Sequence, residues 1–227
     1  VIERHQFNPS IAGDAKILPE PIGSSTRGEL SLAGAMVIGT SRKILEEART
    51  RFVQQVSEAW KSRGRATPVA SWQGWVDAVA SEHPVLLLAL PHSGGAEEEI
   101  FLEIGGSEQE SIAIDRPHVS VDDNVRPIVV LFGCDTVNSV EQGAYARHVA
   151  QFRRSGSALT LGTIATVLGT DATDVATTLV NELVAASGRA DASFGEVLRD
   201  VKRKALIDSR MVALALVAFG DADWRLT

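Results

Sequence analysis

Two periodicities take turns along most of this chain. Ala35-Met36-Val37-Ile38-Gly39 is a short apolar run closed by Thr40 and Ser41, and after it Ile44, Ala48, Phe52, Val56 and Trp60 recur at helical spacing. That pattern predicts a strand followed by an amphipathic helix, with Ser41 as its N-cap. A short strand over Thr67 to Ala70, a helical stretch from Trp72 to Ala80 and the apolar run beginning at Val85 repeat the alternation. The period then drops to two. Ile100, Leu102 and Ile104 alternate with polar residues, Gly105-Gly106 turns the chain, and Ile112 and Ile114 alternate on the return. This predicts an antiparallel β-hairpin inserted beside the rim of the main sheet. Glu97, Glu98, Glu99, Glu103, Glu108 and Glu110 are expected on its wet face rather than around a metal, because no neighbouring histidine stands at ligand spacing.

Ile128 to Phe132, rich in β-branched and aromatic side chains, predicts a central strand buried on both faces. Downstream the pattern predicts a helix over 141–154 with Tyr145, Val149 and Phe152 on one side, then a strand from Ala158 to Ala165. A helix capped by Asp171 runs to about Ala186, and another from Phe194 to Ile207 turns Phe194, Val197, Leu198, Val201 and Leu206 inward. Met211 to Phe219 is expected as the last strand. The whole predicts an α/β fold, doubly wound, with a mostly parallel sheet and helices on both faces. Residues 1–30 differ: Val1 to Phe7 is expected as a strand fragment, and Asn8 to Gly28, rich in proline and glycine, as lead-in or linker. Residues 31–227 are then the folded domain.

Length and charge narrow the function classes. The chain has 227 residues, which suits one domain with a substantial core, and a formal net charge of -7, which argues against a nucleic-acid-binding face. The small basic groups Lys61, Arg63, Arg65 and Lys202, Arg203, Lys204 fit solvated helix faces and ends. A single cysteine makes no internal disulfide, and no apolar stretch approaches the ~20 residues that span a bilayer. A cytoplasmic protein without membrane contact is expected. The start at Val1, without an initiator Met, suggests a segment of a longer chain. No strand is followed by a phosphate- or dinucleotide-binding glycine fingerprint, and neither a cofactor nor a metal is expected.

Chemistry enters at two strand ends. Pro127 to Thr136 carries that lone cysteine, Cys134, directly after Gly133 at the end of the apolar run. A free cysteine is commonly a small buried hydrophobe, but the carboxyl end of a parallel strand is where open α/β sheets bind ligands. Val85 to Gly95 has the same construction, an apolar run followed by Pro91, His92, Ser93, Gly94 and Gly95. Two such strands side by side, ~4.8 Å apart, bring His92 and Cys134 to one rim. A histidine within reach promotes the thiolate, the form that attacks a carbonyl. Gly94 or Gly95 frees backbone N–H groups to face an oxyanion, the N–H of Cys134 is a second donor, and Gly133 belongs to the same candidate oxyanion backbone. His5, His83, His118 and His148 lack a strand-end setting and are expected to be structural or surface residues.

The ordered residues resemble a known family. Leu88-Ala89-Leu90-Pro91-His92-Ser93-Gly94-Gly95 is similar to the apolar strand ending in His and Gly of the CHAT domain, a caspase-like cysteine peptidase family of clan CD. Val129-Val130-Leu131-Phe132-Gly133-Cys134-Asp135-Thr136 resembles that family's strand, small residue, Cys, acidic residue, then Ser or Thr. Asp171-Ala172, the helix around Phe194 to Leu206, and Phe219-Gly220-Asp221 through Arg225-Leu226 resemble its later segments, so the likeness runs from about Leu32 to Leu226. Two departures stand out. Ser93 separates His92 from the glycines, and Phe132 stands where some relatives place an acid for a basic substrate side chain, a role that Asp135 or Asp171 is then expected to take.

The resemblance implies a cysteine endopeptidase with a His92–Cys134 dyad and a thioacyl intermediate. Asp135, Ser93 and Asp171 are its candidate substrate contacts. It further implies one dedicated protein or peptide substrate, a regulatory or sensor domain in the parent chain or a partner, and a role in bacterial defence or cell death. The alternative is a CHAT-like fold that is catalytically inactive and serves as a docking or scaffold module.

Overall fold

The computed structural model describes residues 28–94, 101–122, 124–133, 147–164, 167, 169–189, 192–221 and 223–227. The expected strand at Val1 to Phe7, the linker up to Arg27, Ile100 and Tyr145 lie outside them.

Apolar runs become strands buried on both faces. β1 is Glu29–Leu30, β2 Met36–Thr40, β3 Ala66–Val69 and β4 Leu86–Leu90; β2 and β4 are buried at every position. β5 is His92–Gly94, β6 Phe101–Ile104, β7 Ser107–Glu110, β8 Ile128–Leu131, β9 Leu159–Thr163, β10 Leu216–Phe219 and β11 Arg225–Leu226. The helices are α1 Glu46–Trp60, α2 Trp72–Glu82, α3 Arg147–Arg154, α4 Gly169–Ala186, α5 Phe194–Ile207 and α6 Val212–Ala215. The main sheet has six strands in the order β10-β9-β8-β4-β2-β3, all parallel except β10. β3 carries Pro68 and lies at an edge, where a missing backbone donor disturbs no second neighbour.

Because side chains alternate across a strand, both faces acquire cores. Leu86, Leu88, Leu90, Ile128, Val130 and Phe132 pack with residues of α1, α4 and α5. Leu87, Ala89, Val129 and Leu131 pack on the opposite face with Trp72, Trp75 and Val79 of α2, Phe152 of α3, and Leu102 and Ile104 of β6. This is the expected doubly wound arrangement with helices on both faces. Local signals set the helix ends: the Ser71 hydroxyl accepts from Gly74 N–H (3.1 Å) at α2, and Ser193 with Glu196 forms a reciprocal cap at α5.

Four local expectations are corrected. The residue before α1 is Leu45, not Ser41, whose side chain is buried elsewhere. The hairpin return is Ser107–Glu110, followed by a short 3₁₀ turn that leaves Ile112 79% exposed while Ile114 is buried. The apolar run from Met211 is not one strand: after Ser209, whose φ is 59°, it forms α6 before extending into β10. Leu206, at the end of α5, faces out at 41% exposure rather than in.

The hairpin is seated on the main sheet through its turn. Gly105 has φ 59° and Gly106 φ 87°, and a Cβ on Gly105 would lie 2.0 Å from the Ala70 carbonyl oxygen. Its N–H donates to Thr40 O (3.0 Å). Only glycine meets both the backbone conformation and this approach. Gly105→Ala is expected to lower stability by more than about 1 kcal/mol, read as a fall in Tm of at least ~2 °C by thermal denaturation.

Candidate active site

Pro91 is what turns the chain out of the main sheet. β4 ends at Leu90, the buried Pro91 offers no N–H to continue the ladder, and the next residues leave to form β5, which pairs antiparallel with β6. His92 opens β5 and is half-buried; Ser93 and Gly94 follow it, also half-buried. The ring of Phe101 lies over Gly94, so close that a Cβ there would come within 2.5 Å of it.

The neighbouring strand delivers Gly133. β4 and β8 run parallel in the register Ala89↔Leu131, and the next amide, Phe132 N–H, donates to Ala89 O (2.9 Å). Phe132 is 2% exposed and belongs to the core, so it lines no open pocket. Gly133 is buried, and its carbonyl accepts a hydrogen bond from the Thr163 hydroxyl at the end of β9 (2.7 Å). His92 and Gly133 thus leave the same edge of the sheet from adjacent strands. Cys134, Gly95 and Asp135 lie outside the described residues.

Asp171 sits in the first turn of α4, where a carboxylate complements the helix dipole. It accepts from Arg210 Nη1 (2.9 Å), while Arg210 Nη2 pairs with Asp174 (2.5 Å). The ion pair links the first turn of α4 to the residue just beyond α5, and the Asp171 side chain stays 37% exposed.

Glu103 corrects the expectation of a wet face. It is 5% exposed, whereas Glu108 and Glu110 on β7 are exposed. Its carboxylate accepts from Ser41 Oγ–H, from Arg42 N–H (3.2 Å) and from Gly106 N–H. Thr163 and Glu103 are the two rim residues that the sequence pattern passed over. Thr163 ends an apolar run, a weak sign of a strand-end hydroxyl; nothing local distinguishes Glu103 from its acidic neighbours.

The other described histidines are structural. His83 ends α2 in the left-handed conformation (φ 48°), and His118 pairs with Asp115 (2.6 Å) while its backbone carbonyl accepts from the Trp75 indole N–H (2.8 Å). His148 in α3 is 2% exposed, and among the described residues neither ring nitrogen has a hydrogen-bond partner. Burial lowers its pKa to about 4. No cluster of three potential metal ligands occurs among the described residues, and no described helix is long and apolar enough to cross a membrane.

No protein-family model matches this sequence, and no curated protein matches it. Solved structures do. The Arg-specific cysteine proteinase gingipain R superposes with a TM-score of 0.56 at 11% identity, over 84% of this chain and 46% of that one. The fold is caspase-like. Separase in its complex with securin from Saccharomyces cerevisiae matches with a TM-score of 0.58 at 12% identity, over 86% of this chain and 12% of that one. The complex of the pro- and mature domains of RgpB from Porphyromonas gingivalis gives 0.57 at 10% identity, over 87% of this chain and 50% of that one. The chain thus spans half or less of the length of these proteins, and at such identities the likeness is one of fold.

Two measurements test the local chemistry. Thr163→Val leaves the Gly133 carbonyl without this donor and is expected to cost about 1–3 kcal/mol in urea denaturation. His148 binds its proton less readily folded than unfolded, so its contribution to stability is full above its unfolded pKa of 6.5 and is lost as pH falls toward about 4. The expected slope in that window is up to about 1.4 kcal/mol per pH unit, and His148→Leu should remove that share.

Proposed function

We propose that this chain is the peptidase domain of a CHAT-type cysteine endopeptidase. The observation that supports it is the shared edge: His92 and the residue before Cys134 emerge from adjacent, in-register parallel strands of a caspase-like fold. In this reading His92 takes the thiol proton, and the Cys134 thiolate adds to the scissile carbonyl to give a tetrahedral oxyanion. The N–H of Cys134 and that of Gly94 or Gly95 donate to the oxyanion, with Gly133 part of the backbone that presents them. The imidazolium then protonates the amine as the C–N bond breaks, leaving a thioester. Water, giving its proton to His92, hydrolyses that thioester and restores the thiol. No cofactor or metal enters these steps.

Ser93 and Asp135 line the substrate groove in this proposal. Asp171, engaged by Arg210, is given a structural role instead. Because Phe132 is closed into the core, any preference for a basic side chain rests on Asp135. The substrate is a dedicated protein, cleaved in the cytoplasm when a regulatory or sensor domain of the parent chain or a partner releases the site, as part of bacterial defence or cell death. The domain itself contacts neither nucleic acid nor membrane.

The test compares cleavage of candidate partner proteins by the parent, Cys134→Ala and His92→Ala. The parent should cleave one partner at a single site, Cys134→Ala should not cleave it, and His92→Ala should be slower by about 10²–10⁴-fold. Equal cleavage by the parent and Cys134→Ala contradicts the proposal. A parent whose thiol alkylates no faster than a free thiol supports the docking module instead.

A further inference from the structure

Resting on the reading of His92 as the base, we propose that Glu103 is its positioning residue. β5 is only three residues long, and Pro91 has detached it from the main sheet. Its described strand partner is β6, in the register His92↔Glu103 and Gly94↔Phe101. Wherever β6 is held, His92 is held.

β6 is gripped on both sides. Leu102 and Ile104 are fully buried in the core, and the Trp72 indole N–H donates to Leu102 O (2.8 Å). On the opposite side the Glu103 carboxylate takes three donors, two of them from the Ser41–Arg42 loop that follows β2. Ser41 N–H in turn donates to Leu90 O (2.8 Å), at the end of the strand that leads into His92. Leu90, Ser41, Glu103 and His92 therefore close a ring: hydrogen bonds from Ser41 N–H to Leu90 O and from Ser41 Oγ–H to Glu103, strand pairing of Glu103 with His92, and the chain itself back to Leu90. Such a ring fixes the backbone of His92 without any bond to its imidazole.

The register adds a reason to assign Glu103 a task beyond packing. Glu103 is also the cross-strand partner of Glu108, so two acidic side chains stand opposite one another across β6 and β7. Like charges so placed are destabilising, and a buried carboxylate is tolerated only with its donors in place. An apolar residue there would avoid that repulsion but give up the hold on the Ser41–Arg42 loop and on the Gly106 amide.

The experiment follows alkylation of Cys134, the single cysteine of the chain, by iodoacetamide from about pH 5 to pH 10, in the parent, Glu103→Gln, Ser41→Ala and Glu108→Gln, with circular dichroism to confirm folding. A positioned imidazole holds the midpoint below that of an ordinary thiol, ~8.5. Glu103→Gln should raise the midpoint by about one unit or more and slow alkylation at neutral pH about tenfold; Ser41→Ala should move it the same way by less, and Glu108→Gln should leave it in place. A folded Glu103→Gln with the parent's midpoint overturns the positioning role while leaving the dyad standing. A parent with an ordinary midpoint removes the dyad and this inference with it. If Glu103→Gln does not fold, Ser41→Ala decides, and a midpoint equal to the parent's overturns the proposal.

Discussion

The parallel pairing of β4 with β8 is the interaction on which the rest depends. Parallel neighbours point the same way, so whatever follows each strand is delivered to the same edge. With Ala89 opposite Leu131 and the ladder ending one amide later, the strands stop together, and two short loops start from one place. The register has its own cause. β4 and β8 each bury one set of side chains against α1, α4 and α5 and the other against α2, α3 and β6, and a slip by one residue would exchange the two sets. Packing in the core thereby fixes geometry at the rim.

What happens at the rim is decided by residues that end strands. Pro91 breaks the ladder after β4 and hands the chain to a second, smaller sheet. On the β8 side the Thr163 hydroxyl holds the Gly133 carbonyl, and on the β4 side the Glu103 carboxylate holds the Ser41–Arg42 loop. Each is a buried polar group, satisfied by partners from distant parts of the chain. Buried groups of this kind hold their neighbours in one arrangement, because losing a partner leaves an unsatisfied atom in the core. A reacting pair needs its groups held in place before substrate arrives.

Much of this was legible from the sequence because it depends on local periodicity. The continuous runs Leu86 to Leu90 and Ile128 to Leu131 announce strands covered on both sides, and Phe52, Val56 and Trp60 announce the inner face of α1. Where the reading went astray, contacts from distant segments decided. Glu103 lies between two inward residues, Leu102 and Ile104, and alternation alone sends it to solvent. The loop at Ser41 and Arg42, some sixty residues earlier, covers it. Met211 to Ala215 has the composition of a strand, yet the left-handed Ser209 starts a helical turn that only later straightens into β10.

The central claim is a meeting of two strand ends, and a chemical ruler measures it directly. In a His92→Cys variant the chain holds just two thiols, at positions 92 and 134, and a disulfide forms between them only if their Cα atoms lie within about 4.4–6.8 Å. Dilute oxidation followed by peptide mapping is predicted to give one intramolecular 92–134 bond in nearly every molecule. Two thiols that stay free, or that link only between molecules, would show that the two ends do not meet and would contradict the account.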